Sequence, residues 1–201
     1  MNTKVKICGL KTLKDIHTVN KYAVDYVGFV FAPSKRQVSM EEVKEMMSAL
    51  REGIKAVGVF VNAPHEEVNE IMKYCELHIA QLHGTESPEE CNRINYPVWK
   101  GLSIQSSEDV EKIEDYKNIS GILLDGAKAG SGEKFNWDLI EGISEMRFTI
   151  LAGGLRAENV MEGISKVHPQ VVDVSSGVEV DGKKDEGKIK EFIRRVKGYE
   201  Y

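Results

Sequence analysis

The sequence has 201 residues, 41% of them hydrophobic and 29% charged, and its 32 acidic against 27 basic residues leave a formal net charge of −5. This composition is that of a globular chain rather than a disordered one, and because no strongly basic segment stands out, we expect no nucleic acid and no membrane surface as partner. The three cysteines are widely spaced, and neither a signal peptide nor a run of roughly 20 apolar residues is present, so we expect a cytoplasmic protein without disulfides.

Eight short apolar, β-branched segments recur along the chain and predict strands. In chain order they are 5–7, 26–31, 56–61, 79–82, 98–102, 121–124, 149–152 and 171–174. Longer amphipathic segments predict helices at 13–22, 40–50, 65–74, 88–93, 108–116 and 186–196. Ser39 with Glu42, and Ser87 with Glu90, have the spacing of a capping box at the start of their helices.

The alternation of strand and helix predicts a parallel sheet with helices packed outside it. Eight such units predict an α/β fold, a single-domain (β/α)8 TIM barrel of eight parallel strands, and a doubly wound open sheet is the alternative. No linker divides the chain, so we expect one catalytic domain over residues 1–201. Since active sites of such barrels lie at the C-terminal ends of the strands, the polar residues there are the candidates for function.

The first predicted strand carries two polar side chains on one face, because Lys6 and Cys8 alternate with the apolar Val5 and Ile7. A lysine inside a barrel is costly unless it is paired, and Asp173 on the last strand is the candidate partner. We therefore expect Lys6 and Asp173 to meet inside the barrel, with Cys8 one layer above. A nearby cation would favour the nucleophilic thiolate of Cys8, although a free cysteine is as often a small buried apolar residue.

Polar residues also end three other units. Asp125 follows the sixth strand and could be a general acid or base, or a cap for the glycines after it. Gln81 and His83 end the fourth strand and could bind polar substrate groups or satisfy hydrogen bonds at the barrel rim. Arg36, after the second strand, could bind a carboxylate through two hydrogen bonds or be an ordinary surface cation.

Glycine-rich turns follow the sixth, seventh and eighth strands, at 125–132, 152–155 and 175–178. Glycine lets backbone N–H groups approach an anion closely, and the loops after strands seven and eight of such barrels often bind phosphate. Tight-turn geometry alone is the alternative. The candidate phosphate ligands are Gly153, Gly154, Ser176 and Gly177.

Taken together, these segments resemble the phosphoribosylanthranilate isomerase family of tryptophan biosynthesis. The resemblance runs nearly from end to end of the chain. It includes Lys-Ile-Cys-Gly-Leu at 6–10, Ser-Lys-Arg-Gln-Val at 34–38, Gln-Leu-His-Gly at 81–84, Leu-Leu-Asp at 123–125, Leu-Ala-Gly-Gly-Leu at 151–155 and Val-Asp-Val-Ser-Ser-Gly-Val-Glu at 172–179. The loop after Asp125 departs from the family pattern at Gly126 and Ser131.

The resemblance implies a (β/α)8 barrel that converts N-(5-phosphoribosyl)anthranilate to 1-(2-carboxyphenylamino)-1-deoxyribulose 5-phosphate by an Amadori rearrangement. It implies Cys8 as general base, Asp125 as general acid, Arg36 as the contact for the anthranilate carboxylate, and the late glycine turns as the phosphate site. It also implies a small phosphorylated sugar–anthranilate substrate, no metal or organic cofactor, and a monomer or homodimer.

Three other functions are weighed against this one. In a non-catalytic phosphosugar-binding barrel, there would be no reason to keep both Cys8 and Asp125. A phosphosugar epimerase would be expected to show metal ligands or paired aspartates, and a Schiff-base aldolase a lysine at a strand end. Lys6 is the one candidate for that lysine, and it is expected a layer too deep.

Overall fold

The eight predicted strands form a closed parallel barrel in the computed structural model, which describes residues 3–126 and 136–198. Neighbouring strands pair in chain order, and the last pairs with the first to close the ring. The strands are β1 (Lys4–Cys8), β2 (Tyr26–Val30), β3 (Lys55–Phe60), β4 (Ile79–Leu82), β5 (Val98–Ser103), β6 (Gly121–Asp125), β7 (Thr149–Leu151) and β8 (Val171–Val174). The closed ring confirms the predicted barrel and rules out the open sheet.

Helices surround the barrel. Six of the described helices begin where the sequence predicts or within one residue of it, whereas those at Ile143–Met146 and Val160–Val167 were not predicted. The described helices are α1 (Leu13–Val19), α2 (Met40–Ala49), α3 (His65–Tyr74), α4 (Pro88–Cys91), α5 (Ser107–Glu111), α6 (Ile143–Met146), α7 (Val160–Val167) and α8 (Glu186–Lys197). Both predicted capping boxes are confirmed. The hydroxyl groups of Ser39 and Ser87 each accept the backbone N–H of the third helical residue, and the backbone N–H of each serine donates to the carboxylate of that residue.

Several predicted elements were too long. Predicted helix 13–22 ends at Val19, because the side chain of Asn20 leaves the helix and bonds the end of α2, donating to Ala49 O and accepting from Arg51 N. Predicted helix 108–116 is a short α5 followed by a 3-10 helix at Lys112–Asp115. Strands 26–31, 56–61 and 149–152 end one residue early, and helix 88–93 ends at Cys91.

A small hairpin after β8 was not predicted. Its strands are β9 (Glu179–Val180) and β10 (Lys183–Lys184), which pair antiparallel. The two residues between them, Asp181 and Gly182, both have positive φ (48° and 74°), as a tight two-residue hairpin turn requires. The dipeptide Asp-Gly was therefore a signal for this hairpin, and the turn returns the chain toward the barrel.

The barrel interior holds two kinds of side chain. Its apolar part is one cluster, formed by Tyr26, Val57, Ile79, Trp99, Leu123, Ile150, Ala152 and Val171. Lys6, Gln81 and Asp173 are buried with 0%, 2% and 8% exposure, which requires each of them to find polar partners. Within residues 3–126 and 136–198, no helix has the length and apolar character needed to cross a membrane.

Candidate active site

A cavity of about 210 Å³ lies at the mouth of the barrel, the end where the parallel strands finish. All the candidate residues from the sequence line it except Gly177. They are Cys8, Arg36, Gln81, His83, Asp125, Gly153, Gly154 and Ser176. Asp173 and Ser175 also contribute to the lining. The fold therefore brings residues from six separate strand ends and loops to one small space.

A larger cavity of about 570 Å³ lies on the outside of the barrel. Its lining comes from the 3-10 helix Trp137–Ile140, from α6, and from the segment between the end of α7 and β8. None of the candidate residues faces it. The smaller cavity is the better candidate for chemistry, because it joins a thiol, a carboxyl group and an imidazole at the strand ends where such barrels carry out catalysis.

The predicted ion pair inside the barrel is confirmed. Lys6 Nζ lies 2.7 Å from Asp173 Oδ2, and the two residues are direct register partners on β1 and β8. Burial lowers the pKa of Lys6, but the charge and hydrogen bond of Asp173 and the nearby Cys8 more than offset it, so the net shift is upward and Lys6 stays charged. Asp173 Oδ1 is buried without a hydrogen-bond partner among the described residues.

Cys8 is buried at the floor of this cavity, next to Gly28 on β2. A Cβ on Gly28 would lie 2.7 Å from Cys8 Sγ, so glycine leaves the room that the thiol needs. Burial raises the pKa of Cys8, Lys6 and Lys184 lower it, and Asp173 raises it; the net shift is upward. Lys6 and Lys184 favour the thiolate, as predicted, but burial outweighs them, so the balance favours the thiol in the free protein.

Asp125 ends β6 and points into the cavity with 6% exposure. Its Oδ1 accepts the backbone N–H of Gly126 at 2.7 Å, and its Oδ2 lies 3.5 Å from His83 Nε2. Gly153 has φ of +79°, and a Cβ there would lie 2.7 Å from Asp125 Oδ1. The turn after β7 therefore needs glycine so that it can pass directly over the carboxyl group.

Gln81 and His83 use much of their hydrogen-bonding capacity inside the protein. Gln81 Oε1 accepts from Lys6 Nζ at 2.9 Å, and Gln81 Nε2 lies 3.0 Å from His83 Nδ1. The His83 ring packs over Gly101 on β5, where a Cβ would lie 2.7 Å from Nδ1. These contacts match the alternative role from the sequence, hydrogen bonding at the barrel rim, while both residues still line the cavity.

Arg36 is held by an acidic partner that the sequence did not reveal. Its Nε and Nη2 each donate to Glu179 at 2.8 Å, and Lys184 Nζ donates to the same carboxylate at 2.7 Å. Lys184 also donates to Ser175, whose hydroxyl donates to Cys8 O at 3.0 Å. This group of Arg36, Glu179, Lys184 and Ser175, the rim network, therefore reaches the backbone of Cys8.

The late glycine turns are only partly at the cavity. Gly153 and Gly154 have positive φ and line it together with Ser176. Gly177 instead packs against the preceding loop, where a Cβ would lie 2.0 Å from Leu155 O. Gly177 is therefore needed for close backbone approach. The turn at 125–132, with its atypical Ser131, lies outside the described residues from 127 onward.

The described ranges, 3–126 and 136–198, contain no group of three or more His, Cys, Asp or Glu side chains that could hold a metal ion. Their titratable groups at the mouth instead bond one another.

Comparison with known proteins gives one consistent family. A family model described as N-(5'phosphoribosyl)anthranilate (PRA) isomerase matches residues 5–195. The N-(5'-phosphoribosyl)anthranilate isomerase of Clostridium kluyveri is 47% identical over 195 residues, covering 96% of this chain and 98% of the relative. That of Caldanaerobacter subterraneus subsp. tengcongensis is 44% identical over 200 residues, covering 97% and 98%.

Solved structures agree with this. The phosphoribosyl anthranilate isomerase of Thermotoga maritima is 40% identical, with a TM-score of 0.92 over 98% of this chain and 100% of that one. A phosphoribosyl anthranilate isomerase in complex with reduced 1-(o-carboxyphenylamino)-1-deoxyribulose 5-phosphate has 39% identity and a TM-score of 0.90 over the same shares. Another Thermotoga maritima structure shows monomers generated from the dimeric isomerase.

The rim network predicts a specific loss of stability in acid. Burial raises the pKa of Glu179, but the hydrogen bonds and charges of Arg36 and Lys184 outweigh it and lower the pKa from 4.5 to about 2. Because the folded-state pKa is depressed, this stabilisation is complete above about pH 4.5 and is lost as the pH falls toward 2. The lowered pKa of Glu179 corresponds to a stabilisation of the folded state on the order of 3 kcal/mol.

We expect the difference in unfolding free energy between the wild type and Glu179→Gln to be largest near pH 6 and to shrink steadily toward pH 3. Urea denaturation at a series of pH values measures it. Glu89→Gln, at an exposed position on α4, is the control and should show no comparable trend. A difference that does not change with pH would contradict the strong pairing of Glu179.

Proposed function

The chain belongs to the N-(5'-phosphoribosyl)anthranilate isomerase family, whose members are enzymes of tryptophan biosynthesis, and we propose that its cavity uses Cys8 as general base and Asp125 as general acid for the Amadori rearrangement. The observation that carries the assignment is that one small cavity holds a single thiol, the carboxyl group of Asp125 and the Gly153–Gly154 turn, which is suited to an anion. The aminoaldose N-(5'-phosphoribosyl)anthranilate would enter, and the aminoketose 1-(2-carboxyphenylamino)-1-deoxyribulose 5-phosphate would leave.

The acid acts on the sugar ring. Asp125, in its neutral form, gives its proton to the furanose oxygen, the bond between that oxygen and C1 breaks, and a protonated Schiff base forms between C1 and the anilino nitrogen. Its position at the end of β6, buried but facing the cavity, suits this step. The hydrogen bond from Gly126 N fixes one carboxyl oxygen, so the group has a defined orientation toward the bound sugar.

The base acts on the neighbouring carbon. The protonated Schiff base acidifies the hydrogen on C2, Cys8 removes it, and the resulting enolamine tautomerises to the ketone. Cys8 must first lose its own proton, and burial opposes this in the free protein. The cationic Schiff base adds its charge to those of Lys6 and Lys184 and so favours the thiolate when it is needed. Because that cation accepts the electron pair, the proposed route uses neither a metal nor an organic cofactor.

Anion-binding groups stand at both ends of the cavity. The turns at Gly153, Gly154 and Ser176 are proposed to hold the phosphate through backbone N–H groups. Arg36 is proposed to hold the anthranilate carboxylate with Nη1, the amino group outside its ion pair with Glu179. Gln81 and His83 are proposed to contact the sugar between these two ends. The two cations and one anion of the rim network leave a net positive charge there, which suits an anionic substrate.

The proposed location and assembly follow from the same observations. Cys8, Cys75 and Cys91 are all free thiols, which supports the cytoplasmic location expected from the sequence. The Thermotoga maritima relative is described both as a dimer and as monomers generated from it. We propose that this chain is a monomer or a homodimer.

The decisive experiment is rescue of a tryptophan auxotroph that lacks this isomerase. We expect the wild-type chain to restore growth without tryptophan, and chains carrying Cys8→Ser or Asp125→Asn to fail at equal expression. A purified protein that binds phosphosugars but neither rescues growth nor turns over substrate would favour the non-catalytic binding barrel instead.

Replacing the base should act on turnover. We expect Cys8→Ser to lower kcat by about 100-fold or more with little change in KM, because a hydroxyl is a far weaker base than a thiolate and the base acts in the transition state. Steady-state kinetics on the purified variant measures this. Cys75→Ser, a buried cysteine outside the cavity, is the matched control and should keep the wild-type kcat. Equal kcat values for the two variants would remove Cys8 from the mechanism.

Replacing the acid should also lower kcat with little change in KM. Asp125→Asn keeps the shape of the side chain and can still accept from Gly126 N, but it has no acidic proton. We expect kcat to fall by about 100-fold or more, with the folded structure and KM nearly unchanged. The same kinetic assay, with circular dichroism as the check on folding, measures it. Turnover close to that of the wild type would mean that another group opens the ring.

Replacing the carboxylate contact should act on binding. We expect Arg36→Met to raise KM by about tenfold or more, because a charged hydrogen bond to the substrate is lost, while kcat changes less. Arg36→Lys, which keeps the charge but not the paired hydrogen bonds to Glu179, should fall between Met and the wild type. An unaltered KM in both variants would place the anthranilate carboxylate elsewhere.

A further inference from the structure

A line of polar contacts crosses the floor of the cavity from Lys6 to Asp125. Lys6 Nζ lies 2.9 Å from Gln81 Oε1, and Gln81 Nε2 lies 3.0 Å from His83 Nδ1. At the far end, His83 Nε2 is 3.5 Å from Asp125 Oδ2. We call these four side chains the floor chain. Since Lys6 and Gln81 are 0% and 2% exposed, water does not compete for the contact between them.

The direction of every hydrogen in the floor chain follows from its first member. The ammonium group of Lys6 can only donate, so the Gln81 atom facing it must be the carbonyl oxygen. The Gln81 atom facing His83 is then the amide nitrogen, which also only donates. His83 Nδ1 must accept that hydrogen and therefore carries none itself. The hydrogen of the neutral imidazole is consequently on Nε2, the nitrogen that faces Asp125.

We propose that the floor chain holds His83 as the neutral Nε2–H tautomer and so makes Asp125 the member of the His83–Asp125 pair that carries an added proton. In an ordinary contact between histidine and a carboxylate, the imidazole is the more basic partner and takes that proton. Here the proton would have to enter at Nδ1, where the amide of Gln81 already donates. Two N–H groups would then face each other at a part-buried contact.

This inference deepens the proposed function and rests on it, because it concerns the proton that Asp125 is proposed to donate. When that proton passes to the ring oxygen, the O–H bond of Asp125 breaks and a new O–H bond forms on the sugar. The Nε2–H of His83 then donates to the carboxylate that remains. His83 neither gains nor loses a proton in this step, so it is a positioning residue, and Lys6 acts through Gln81.

The surrounding charged groups do not provide the His83 ring with another ionic hydrogen-bond partner. Among the described residues, Asp125 is the one carboxylate within 4.0 Å of its ring nitrogens. The other charged groups at the cavity already have partners: Asp173 is paired with Lys6, and Arg36 with Glu179. From β5, His83 meets the backbone of Gly101, which has no side chain to donate or accept.

Nitrogen-15 NMR of the histidine rings in the full-length protein without substrate tests the tautomer directly. The chain has five histidines, and His83→Asn identifies the signals of His83. We expect Nδ1 of His83 to be unprotonated and Nε2 protonated at neutral pH. His78 is an internal reference, because its Nδ1 accepts the backbone N–H of Ala56 at 3.0 Å and is fixed in the same tautomer without Gln81.

Gln81→Glu reverses the direction of the floor chain, because a carboxylate accepts from both Lys6 and His83. We expect His83 to gain a proton on Nδ1 in this variant while His78 is unchanged. With the imidazole now able to hold the added proton, kcat should fall by at least about tenfold and KM should change less. Gln81→Met, which removes both hydrogen bonds but keeps the length of the side chain, should release His83 into a mixture of tautomers.

The possible results distinguish the tautomer assignment of His83 from the proposed isomerase function. A wild-type His83 protonated on Nδ1 would overturn the inference, and so would a folded Gln81→Glu protein that keeps both the wild-type His83 spectrum and the wild-type kcat. The wild-type spectrum needs no variant, so it decides the tautomer even if the variants do not fold. If the spectra are as expected but the wild type has no isomerase activity, the proposed function fails and the tautomer assignment stands.

Discussion

The ion pair between Lys6 and Asp173 is the interaction on which both the barrel and its mouth depend. The pair lies where β1 meets β8, at the seam that closes the ring. Both groups are buried, and removing either would leave the other charge without compensation, at a cost of about 3–5 kcal/mol. The same ammonium group donates to Gln81, so Lys6 both pairs β1 with β8 and orients the side chains of the floor chain.

A second ionic group, the rim network, complements the first. Glu179 receives hydrogen bonds from Arg36 and from Lys184, and Lys184 continues to Ser175, whose hydroxyl bonds the backbone of Cys8. The interior pair is neutral as a whole, whereas the rim network carries one excess positive charge. This division gives a barrel that tolerates its buried charges and a mouth that attracts an anionic substrate.

The environment of Cys8 shows how such a site can control when a group reacts. Burial raises the pKa of Cys8 and so favours the thiol in the free protein, although two lysines favour the thiolate. A substrate that develops positive charge at the reacting carbon would shift that balance at the stage when a base is required. Glycines on two sides make this compact arrangement possible, since Gly28 leaves space for the thiol and Gly153 for Asp125.

Sequence periodicity was enough to predict the barrel, the inward face of β1 and the pairing of Lys6 with Asp173. Alternation in a strand has a period of two, and in a closed ring the first and last strands must be neighbours, so these contacts follow from chain order alone. The resemblance of the motifs to a known family pointed to the same mouth residues. Periodicity and motifs can be read from short stretches of sequence, and the pairing of neighbouring strands follows from the regular register of backbone hydrogen bonds.

The tertiary structure alone decided which charges meet across the loops and which way the hydrogens point. Glu179 holds Arg36 across 143 residues of sequence, and the Asp-Gly turn that follows Glu179 brings Lys184 back to the same carboxylate. No periodicity of the sequence encodes either contact. The thiol form of Cys8 depends on how deeply it is buried, and the tautomer of His83 on which end of Gln81 faces Lys6. These properties depend on ångström-scale distances in three dimensions, and the order of residue types along the chain does not specify them.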